Sequence, residues 1–380
     1  MTMVRDERRV RQGFWLFPRL RARLAGWAIL TALAAACASP AAAAAPVVFL
    51  DRAAAARAIV DDHAQPYFHT LQPMEMAAKT GRPLTARTLA AQRRETGQRY
   101  RAGVREFSEQ ERTVITRMVR GIDAALKHYP RLARVPWRFL KVADSIEGGL
   151  PHTRGPYIVL SQSVCEQLLG MDAALPKREA IAAAATILLH ERIHVLQRSA
   201  PGLFDSLYRD VWGFVRVKSI TRDPWLRRHH LANPDGSTAG RFCCWLFPLR
   251  GDGNEPVHYI WPLVVFSDGP GVKRMPQDFR MLAIDVRRRG DHARVISEPD
   301  GRPRARPLLD VAAYTRVFVI SQNIYHPNEA AADLLTQLVL FDSLADTSGL
   351  SPRRRAAIDT FFQPLRHWAR AHMGVRTAAH

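Results

Sequence analysis

The sequence predicts an α+β fold in which helices predominate and a small mixed sheet lies beside one long helix. The first observation is an Ala-rich run without Gly or Pro from residue 178 to 200, which predicts that helix. The second is a set of short segments rich in β-branched and aromatic residues, which predict strands. The third is the length of 380 residues without an internal repeat or a long low-complexity linker. This length predicts one large domain, or two closely packed lobes, after an N-terminal leader.

The N-terminal segment has the composition of a secretory signal. Residues 1–24 hold seven arginines against two acidic residues, a short apolar core follows at 24–33, and small residues continue to the end of the segment. We therefore expect residues 1–45 to be a signal peptide. The mature chain, 46–380, is then expected in the periplasm, at the outer membrane or outside the cell. One alternative is a lipoprotein signal in which Cys37 is lipidated and anchors the chain to a membrane. An uncleaved N-terminal anchor is a further alternative.

The elements that follow alternate between helix and strand. Helical periodicity from 85 to 127 breaks at Ser108, which with Glu111 predicts a capping box at the start of a second helix. Strands are predicted at 136–142, 157–160, 257–266, 281–286 and 293–297, and further helices at 203–220 and 359–372.

The long predicted helix contains His190-Glu191-x-x-His194. On a helix the two histidines lie one turn apart on the same face, where they can bind one zinc ion. Glu191 is about 100° around the helix and can reach a water bound to that ion. The alternative is an ordinary helix with two histidines and a glutamate. The preceding residues, 181–189, carry no charge, so the helix is expected to be buried, and buried ionisable groups without partners are costly. A metal ion relieves that cost.

A third ligand is expected from a later helix. Gln197 and Ala200 occupy the positions where metzincins have Gly and a third His, which excludes that subclass. The residues around Pro327 predict a helix start, since proline is tolerated in the first turn. On that helix Glu329 and Asp333 lie four apart, so Glu329 can bind zinc and Asp333 can accept the N–H of a ligand histidine. A solvated acidic helix face is the alternative.

At these two helices the chain resembles the gluzincins, the thermolysin-like clan of zinc metallopeptidases. In that clan a helix with Glu-x-x-x-Asp follows the His-Glu-x-x-His helix, and the match covers about 35 of the 380 residues. The resemblance implies a zincin-like metallopeptidase fold, a Zn²⁺ cofactor and a peptide or protein substrate. It also implies a role for each matching residue: His190, His194 and Glu329 as metal ligands, Glu191 as the catalytic base, and Asp333 as the residue that orients a ligand histidine.

Substrate contacts are predicted less directly. Tyr325 and His326 lie next to the third ligand in the sequence and are candidates to stabilise an oxyanion or to contact substrate, with packing or helix capping as the alternative. In zincins a strand commonly runs along the cleft above the motif helix and pairs with extended substrate. By analogy we expect 157–160 to be this strand. His152 and Arg154 would then lie near the cleft mouth, or be loop residues with local hydrogen bonds.

Charge and cysteine content narrow the function classes. The formal net charge is +20, but the basic residues are spread along the chain without a nucleic-acid-binding motif, so no specific nucleic-acid partner is expected. Such a surface can favour an anionic envelope surface. Cys165 could bridge to Cys243 or Cys244 in an oxidising compartment, or all three could be buried thiols. The alternative to a secreted peptidase is a non-catalytic, zincin-like envelope protein that binds metal or a partner; the presence of Glu191 favours the enzyme.

Overall fold

The structure is a computed structural model that describes residues 45–63, 66–236, 244–250, 257–321, 323–344 and 349–374. The expected signal peptide, apart from Ala45, lies outside these residues, as do Cys37 and Cys243. Residues 44–380 group into one compact unit by their contacts. Among the described residues, no helix combines the length and apolar composition needed to cross a membrane.

The helices lie both before and after the strands in the chain. They are α1 (Arg52–Ala58), α2 (Pro73–Lys79), α3 (Leu89–Gly103), α4 (Glu109–Ala125), α5 (Pro130–Ala133), α6 (Gln162–Ala174), α7 (Lys177–Ser199), α8 (Pro224–His229), α9 (Ala312–Thr315), α10 (Pro327–Val339) and α11 (Pro352–Met373). The predicted capping box begins α4: the Ser108 hydroxyl accepts from the Glu111 N–H, and the Glu111 carboxylate accepts from the Ser108 N–H.

A five-stranded mixed sheet lies beside α7. Its strands are β1 (Val47–Phe49), β2 (Val104–Arg105), β3 (Trp137–Val142), β4 (His152–Arg154) and β5 (Tyr157–Ser161). The order is β1-β3-β5-β4, with β1, β3 and β5 parallel and β4 antiparallel at one edge, while β2 pairs with the end of β3. Strand β3 is buried at all but one residue, as expected for a strand covered on both faces. α7 packs on β4 and β5.

A second sheet of seven strands is formed by residues between α7 and α10. Its strands are β6 (Val215–Arg216), β7 (Ser219–Thr221), β8 (Trp245–Leu249), β9 (His258–Phe266), β10 (Phe279–Arg289), β11 (His292–Val295) and β12 (Ala305–Pro307). The order is β6-β8-β9-β10-β11-β7, with β12 also on β10. The two outermost strands, β6 and β7, are consecutive in the chain, so the sheet curls until its ends approach each other.

The largest core cluster joins α4, α6, α7, α10 and α11. In α7 every residue from Ile187 to Gln197 is buried, which is typical of a helix enclosed on all sides. One of them is a cation, Arg192, whose guanidinium pairs with Asp123 at 2.5 Å and lies 4.1 Å from the ring of Trp137. Its Nε donates to the carbonyl of Val135. These contacts fix α7 against α4 and β3, and nothing in the sequence pattern had pointed to Arg192.

The α+β class is confirmed, and the predicted strands and most helices are present near their expected positions. The expectation of a single small sheet was incomplete because of the second, seven-stranded sheet. The helix predicted over 203–220 was wrong. After a π-helical turn at Leu207–Val211, Gly213 adopts a positive φ of 75°, which ends the helical path, and the β-branched residues that follow join the second sheet.

The cysteines divide into two kinds. Cys165 is buried with a free thiol, whereas Cys244 is disulfide-bonded. The bridge at Cys244 therefore does not involve Cys165.

Candidate metal centre

Three side chains from two helices converge on one point. The Nε2 atoms of His190 and His194 lie 3.1 Å apart, and the carboxylate oxygens of Glu329 lie 3.5 Å from the first and 3.4 Å from the second. All three residues are buried. A tetrahedral ion with bonds of about 2 Å separates its ligand atoms by about 3.3 Å. The observed spacing fits such an ion, and these three residues could hold a metal ion.

The local sequence explains why the donors meet. The two histidines are four residues apart in α7, so their rings project from one face. Glu329 lies in the first turn of α10, which packs against α7. That turn begins at His326, whose Nδ1 accepts from the N–H of Asn328, followed by Pro327. The predicted third ligand thus lies with the two histidines, as expected.

Glu191 is buried beside this cluster and has one oxygen, Oε2, without a hydrogen-bond partner among the described residues. Burial, the carboxylate of Asp235 and that of Glu329 raise its pKa well above the usual range, although His194 acts in the opposite direction. A buried carboxylate oxygen without a partner is costly. A metal ion with a water beside Glu191 would satisfy it, so the residues present fit such an ion.

The electrostatics of the donors also fit a bound cation. Burial alone would lower the pKa of His194, but the carboxylates of Glu329 and Asp235 raise it to about 10. Burial would raise the pKa of Glu329, but the two histidines hold it well below its usual range. Glu191 adds a third carboxylate to the same small volume. A divalent cation among these acidic side chains would favour their charged forms.

The residue that orients a ligand histidine is Gln197 rather than Asp333. The Nδ1 of His194 lies 2.7 Å from Oε1 of Gln197, whose amide nitrogen donates to the carbonyl of Asn328 at 2.9 Å and to the Tyr208 hydroxyl at 3.2 Å. Because the amide nitrogen of Gln197 donates to the Asn328 carbonyl, the amide oxygen of Gln197 faces His194 and accepts from its Nδ1–H. The Nε2 lone pair of His194 therefore points into the cluster.

The prediction for Asp333 was wrong for a geometric reason. Asp333 lies one turn beyond Glu329, and its carboxylate accepts from Gln337 at 3.1 Å. It has no hydrogen bond to either histidine within the part of the chain that the structure describes. Spacing alone did not reveal Gln197, because its role depends on the carbonyl that α10 presents to it.

Tyr325 lies at the cluster and His326 at its border. The Tyr325 hydroxyl hydrogen-bonds to Glu329 and accepts from the amide of Asn233 at 3.3 Å. Burial and the Glu329 carboxylate raise its pKa well above the usual range, so it remains a neutral donor. His326 caps α10, and both residues line a cavity of about 220 Å³. The other walls include Arg222, His230, Trp261 and Leu263.

The strand at the free edge of the first sheet is β4, whereas the strand that was expected to pair with substrate, 157–160, is β5. The sheet order puts β5 between β3 and β4, so 157–160 is internal and β4 forms the edge. His152 and Arg154, expected near the cleft mouth, are buried members of this edge strand. Thr153 between them is also buried. Its N–H and hydroxyl both donate to Asp235, at 2.6 and 2.7 Å.

A short connecting segment, Leu231 to Gly236, covers the centre; we call it the cover segment. Its Asn233 amide nitrogen lies 2.5 Å from Oε1 of Glu329. Its last residue is a glycine because a Cβ there would come within 2.8 Å of the Asn328 side chain. Sequence reasoning identified 233–236 only as a turn, since no local pattern shows that it packs on residues nearly 100 positions later.

Comparison of this chain with models of protein families, with curated proteins and with solved structures finds no match.

Proposed function

We propose that this chain is an exported zinc metallopeptidase of gluzincin type, which hydrolyses peptide bonds of peptide or protein substrates. The observation that carries the proposal is the cluster of His190, His194 and Glu329 at tetrahedral spacing, with Glu191 beside it on the helix of the two histidines. One carboxylate oxygen of Glu191 has no hydrogen-bond partner among the described residues. Three protein ligands are the usual number at a catalytic zinc site, where one position stays open, and two histidines with one glutamate are a known donor set for it.

Each side chain has a role in this reaction. A zinc ion held by these ligands would supply Lewis-acid chemistry, polarising a carbonyl and acidifying a water. Glu191 takes a proton from the attacking water and delivers it to the leaving nitrogen. Gln197 keeps His194 in the tautomer whose Nε2 carries the lone pair. Tyr325, neutral and at the cluster, is the donor best placed to hydrogen-bond the oxygen on which negative charge develops.

A second candidate is supported by the cover segment. Asn233 lies against Glu329, and the donors are almost fully enclosed, with His190 the most exposed at 8%. Structural zinc sites are closed in this way, whereas catalytic sites keep an open position. The second candidate is therefore a non-catalytic envelope protein that binds metal or a partner through the same scaffold. The intact Glu191 favours the enzyme, because a structural site needs no base.

The N-terminal sequence suggests where the protein works. The arginine-rich start and apolar core of residues 1–45 are the basis for proposing export, with Cys37 as an alternative lipid anchor, and both lie outside the described residues. The basic mature surface would suit an anionic envelope surface. The mass of the mature protein recovered from each cell fraction tests this: an intact N-terminus in the cytoplasm contradicts export.

Replacing the base without removing a ligand separates the two candidates. We expect Glu191→Gln to keep about one zinc per chain but to lower hydrolysis of casein and of a peptide library by about 100-fold or more, since it removes a general base. His190→Ala should lose zinc and activity together. Glu179→Gln changes an exposed glutamate on the same helix and is the matched control, with zinc content and activity unchanged.

The same experiment can reject the enzyme. If Glu191→Gln and the unmodified protein hydrolyse every substrate equally, the hydrolysis comes from a contaminant and the non-catalytic candidate replaces the peptidase.

A further inference from the structure

The cover segment lies where a substrate would have to bind. Asn233 contacts both Glu329 and Tyr325 at the metal centre. Two residues later, the carboxylate of Asp235 is buried and accepts from the N–H and the hydroxyl of Thr153. A peptide carbonyl can reach the cluster from this side only if the segment moves away.

The segment also uses the free edge of the first sheet. Thr153 lies opposite Ile158 in the antiparallel pairing of β4 with β5, at a position that does not hydrogen-bond to β5. Its N–H and C=O therefore point away from β5, toward the free edge of the sheet. These are the groups to which an added strand would bind. Here the N–H donates to Asp235 at 2.6 Å, and the C=O accepts from Nη2 of Arg198 at 3.2 Å.

Most of the remaining contacts reach the backbone of the segment rather than its side chains. Lys79 donates to the carbonyl of Ala232 at 2.9 Å, Arg198 donates to the carbonyl of Pro234, and the N–H of Leu231 donates to the carbonyl of Val264. Lys79 is fully buried, with its charge paired to Glu147. Contacts of this kind depend on the backbone of the bound chain and not on its side chains. The exception is Asp235, whose carboxylate is recognised by Thr153 and lies 3.9 Å from Arg198.

We propose that Thr153, Arg198 and Lys79 form a binding surface for a peptide that carries a carboxylate, and that the chain's own cover segment fills this surface in the structure. This inference rests on the proposed function, because it names the substrate class of the same site. The substrate peptide displaces the segment, places its carboxylate where Asp235 lies against Thr153 of β4, and brings a carbonyl to the metal centre. The cover segment is then a latch that lowers activity until it is displaced.

The first test measures access to the metal. Zinc-loaded protein is mixed with a strong chelator, and the rate of zinc removal is followed. Asp235→Ala should release zinc about 10-fold faster or more, because it loses strong hydrogen bonds to a carboxylate. Asn233→Ala removes the contacts with Glu329 and Tyr325 at the centre, together with the hydrogen bond from the Asp235 N–H, and should also accelerate release. Asp291→Ala removes an exposed carboxylate with one ion pair and is the control, with an unchanged rate. Unchanged rates in both segment variants would overturn the latch.

The second test measures recognition of the carboxylate. The peptide acetyl-LANPDG-amide copies the segment, and a second peptide has Asn in place of Asp. Calorimetry on zinc-loaded Asp235→Ala should show that the Asp peptide binds about 10-fold more tightly or better, and Arg198→Gln in the same background should reduce that preference. Equal affinity for the two peptides would overturn the recognition of a carboxylate.

These readouts do not require hydrolysis, so the two proposals can fail separately. If the latch variants release zinc faster and bind the acidic peptide but cleave nothing, the peptidase is wrong and the surface stands. If the protein cleaves peptides at a rate that neither variant changes and without preference for acidic sequences, the peptidase stands and this inference is wrong. Circular dichroism of each variant confirms that its fold is retained before the rates are compared.

Discussion

Among the single side chains of the centre, Gln197 most directly determines the state of His194, one of the three candidate metal ligands. Neutral histidine can carry its proton on either nitrogen, and only one tautomer presents Nε2 to an ion. Gln197 selects it because its own amide nitrogen is already bonded to the carbonyl of Asn328. The residue thus couples α7, which carries both histidines, to the turn of α10 that carries Glu329.

Zinc affinity should therefore respond to Gln197 and not to Asp333. We expect Gln197→Ala to weaken zinc binding by about 10- to 100-fold, the usual cost of removing the partner of a ligand histidine. Asp333→Asn should leave affinity within about 2-fold, because its carboxylate hydrogen-bonds only with Gln337 among the residues that the structure describes. Competition with a coloured zinc chelator measures both. A larger loss for Asp333→Asn than for Gln197→Ala would make Asp333 the residue that orients a ligand histidine.

The sequence predicted the ligands because helix geometry alone determines which residues share a face. His190 and His194 follow from their spacing of four, and Glu329 from its place in the first turn of a recognisable helix. Gln197 and Asn233 could not be predicted, because each acquires its role from a residue more than 90 positions away. Local periodicity carries no information about such contacts.

Of the helices, α7 depends on close packing against α4. The contact is made where Gly121 of α4 faces Ile181 of α7: a Cβ on Gly121 would lie 2.4 Å from the Ile181 Cδ1 and 3.0 Å or less from its other outer carbons. The alanines in the first half of α7 have small side chains, which similarly allow neighbouring helices to approach closely. The long helix was predicted correctly, but its enclosure by α4, α6 and α10 depends on small residues whose partners the sequence does not identify.

Two glycine-to-alanine changes test this packing. Gly97 lies within α3, and a methyl group added there would meet no atom within 4 Å, so Gly97→Ala should raise the free energy of unfolding by about 0.5–1 kcal/mol through helix propensity. Gly121→Ala should instead lower it by about 1–3 kcal/mol, because the methyl group displaces Ile181. Urea unfolding measures both. Stabilisation of equal size in the two variants would show that α4 and α7 are not tightly packed.

At the scale of the whole molecule, the contacts of the cover segment belong to the long stretch of chain between α7 and α10, the two helices that carry the candidate ligands. The seven-stranded sheet and the cover segment both belong to residues between α7 and α10. The sequence showed the length of this interval but not its fold, because its short strands pair across large separations. One result is that the cover segment reaches α2 as well as the centre: the Ala232 N–H donates to the Glu75 carboxyl and the Ala232 carbonyl accepts from Lys79.

Glu75 makes the stability of this arrangement depend on pH. Burial raises its pKa to about 8, with Lys79 opposing the shift and Glu147 adding to it. In the folded protein Glu75 therefore stays protonated up to about pH 8, whereas in the unfolded chain it loses its proton above its usual pKa of 4.5. The free energy of unfolding consequently falls as pH rises from about 4.5 to about 8. Glu75→Gln should raise the melting temperature more at pH 8 than at pH 5. Glu179→Gln, at an exposed glutamate, should show no such difference; equal shifts of Glu75→Gln at both pH values would contradict the buried proton.

Metal binding should stabilise the whole fold, because the three candidate ligands come from α7 and α10 and meet only in the folded chain. An ion that binds only the folded state at a free concentration of about 100 times its Kd adds about 2.7 kcal/mol to the free energy of unfolding. We expect zinc to raise the melting temperature of the unmodified protein and of Glu191→Gln, which keeps all three ligands. Magnesium should not do so, since it prefers oxygen ligands over imidazoles. His190→Ala should lose the zinc response, because two ligands remain; an undiminished response would place the ion elsewhere in the chain and remove the basis for a catalytic centre on α7 and α10.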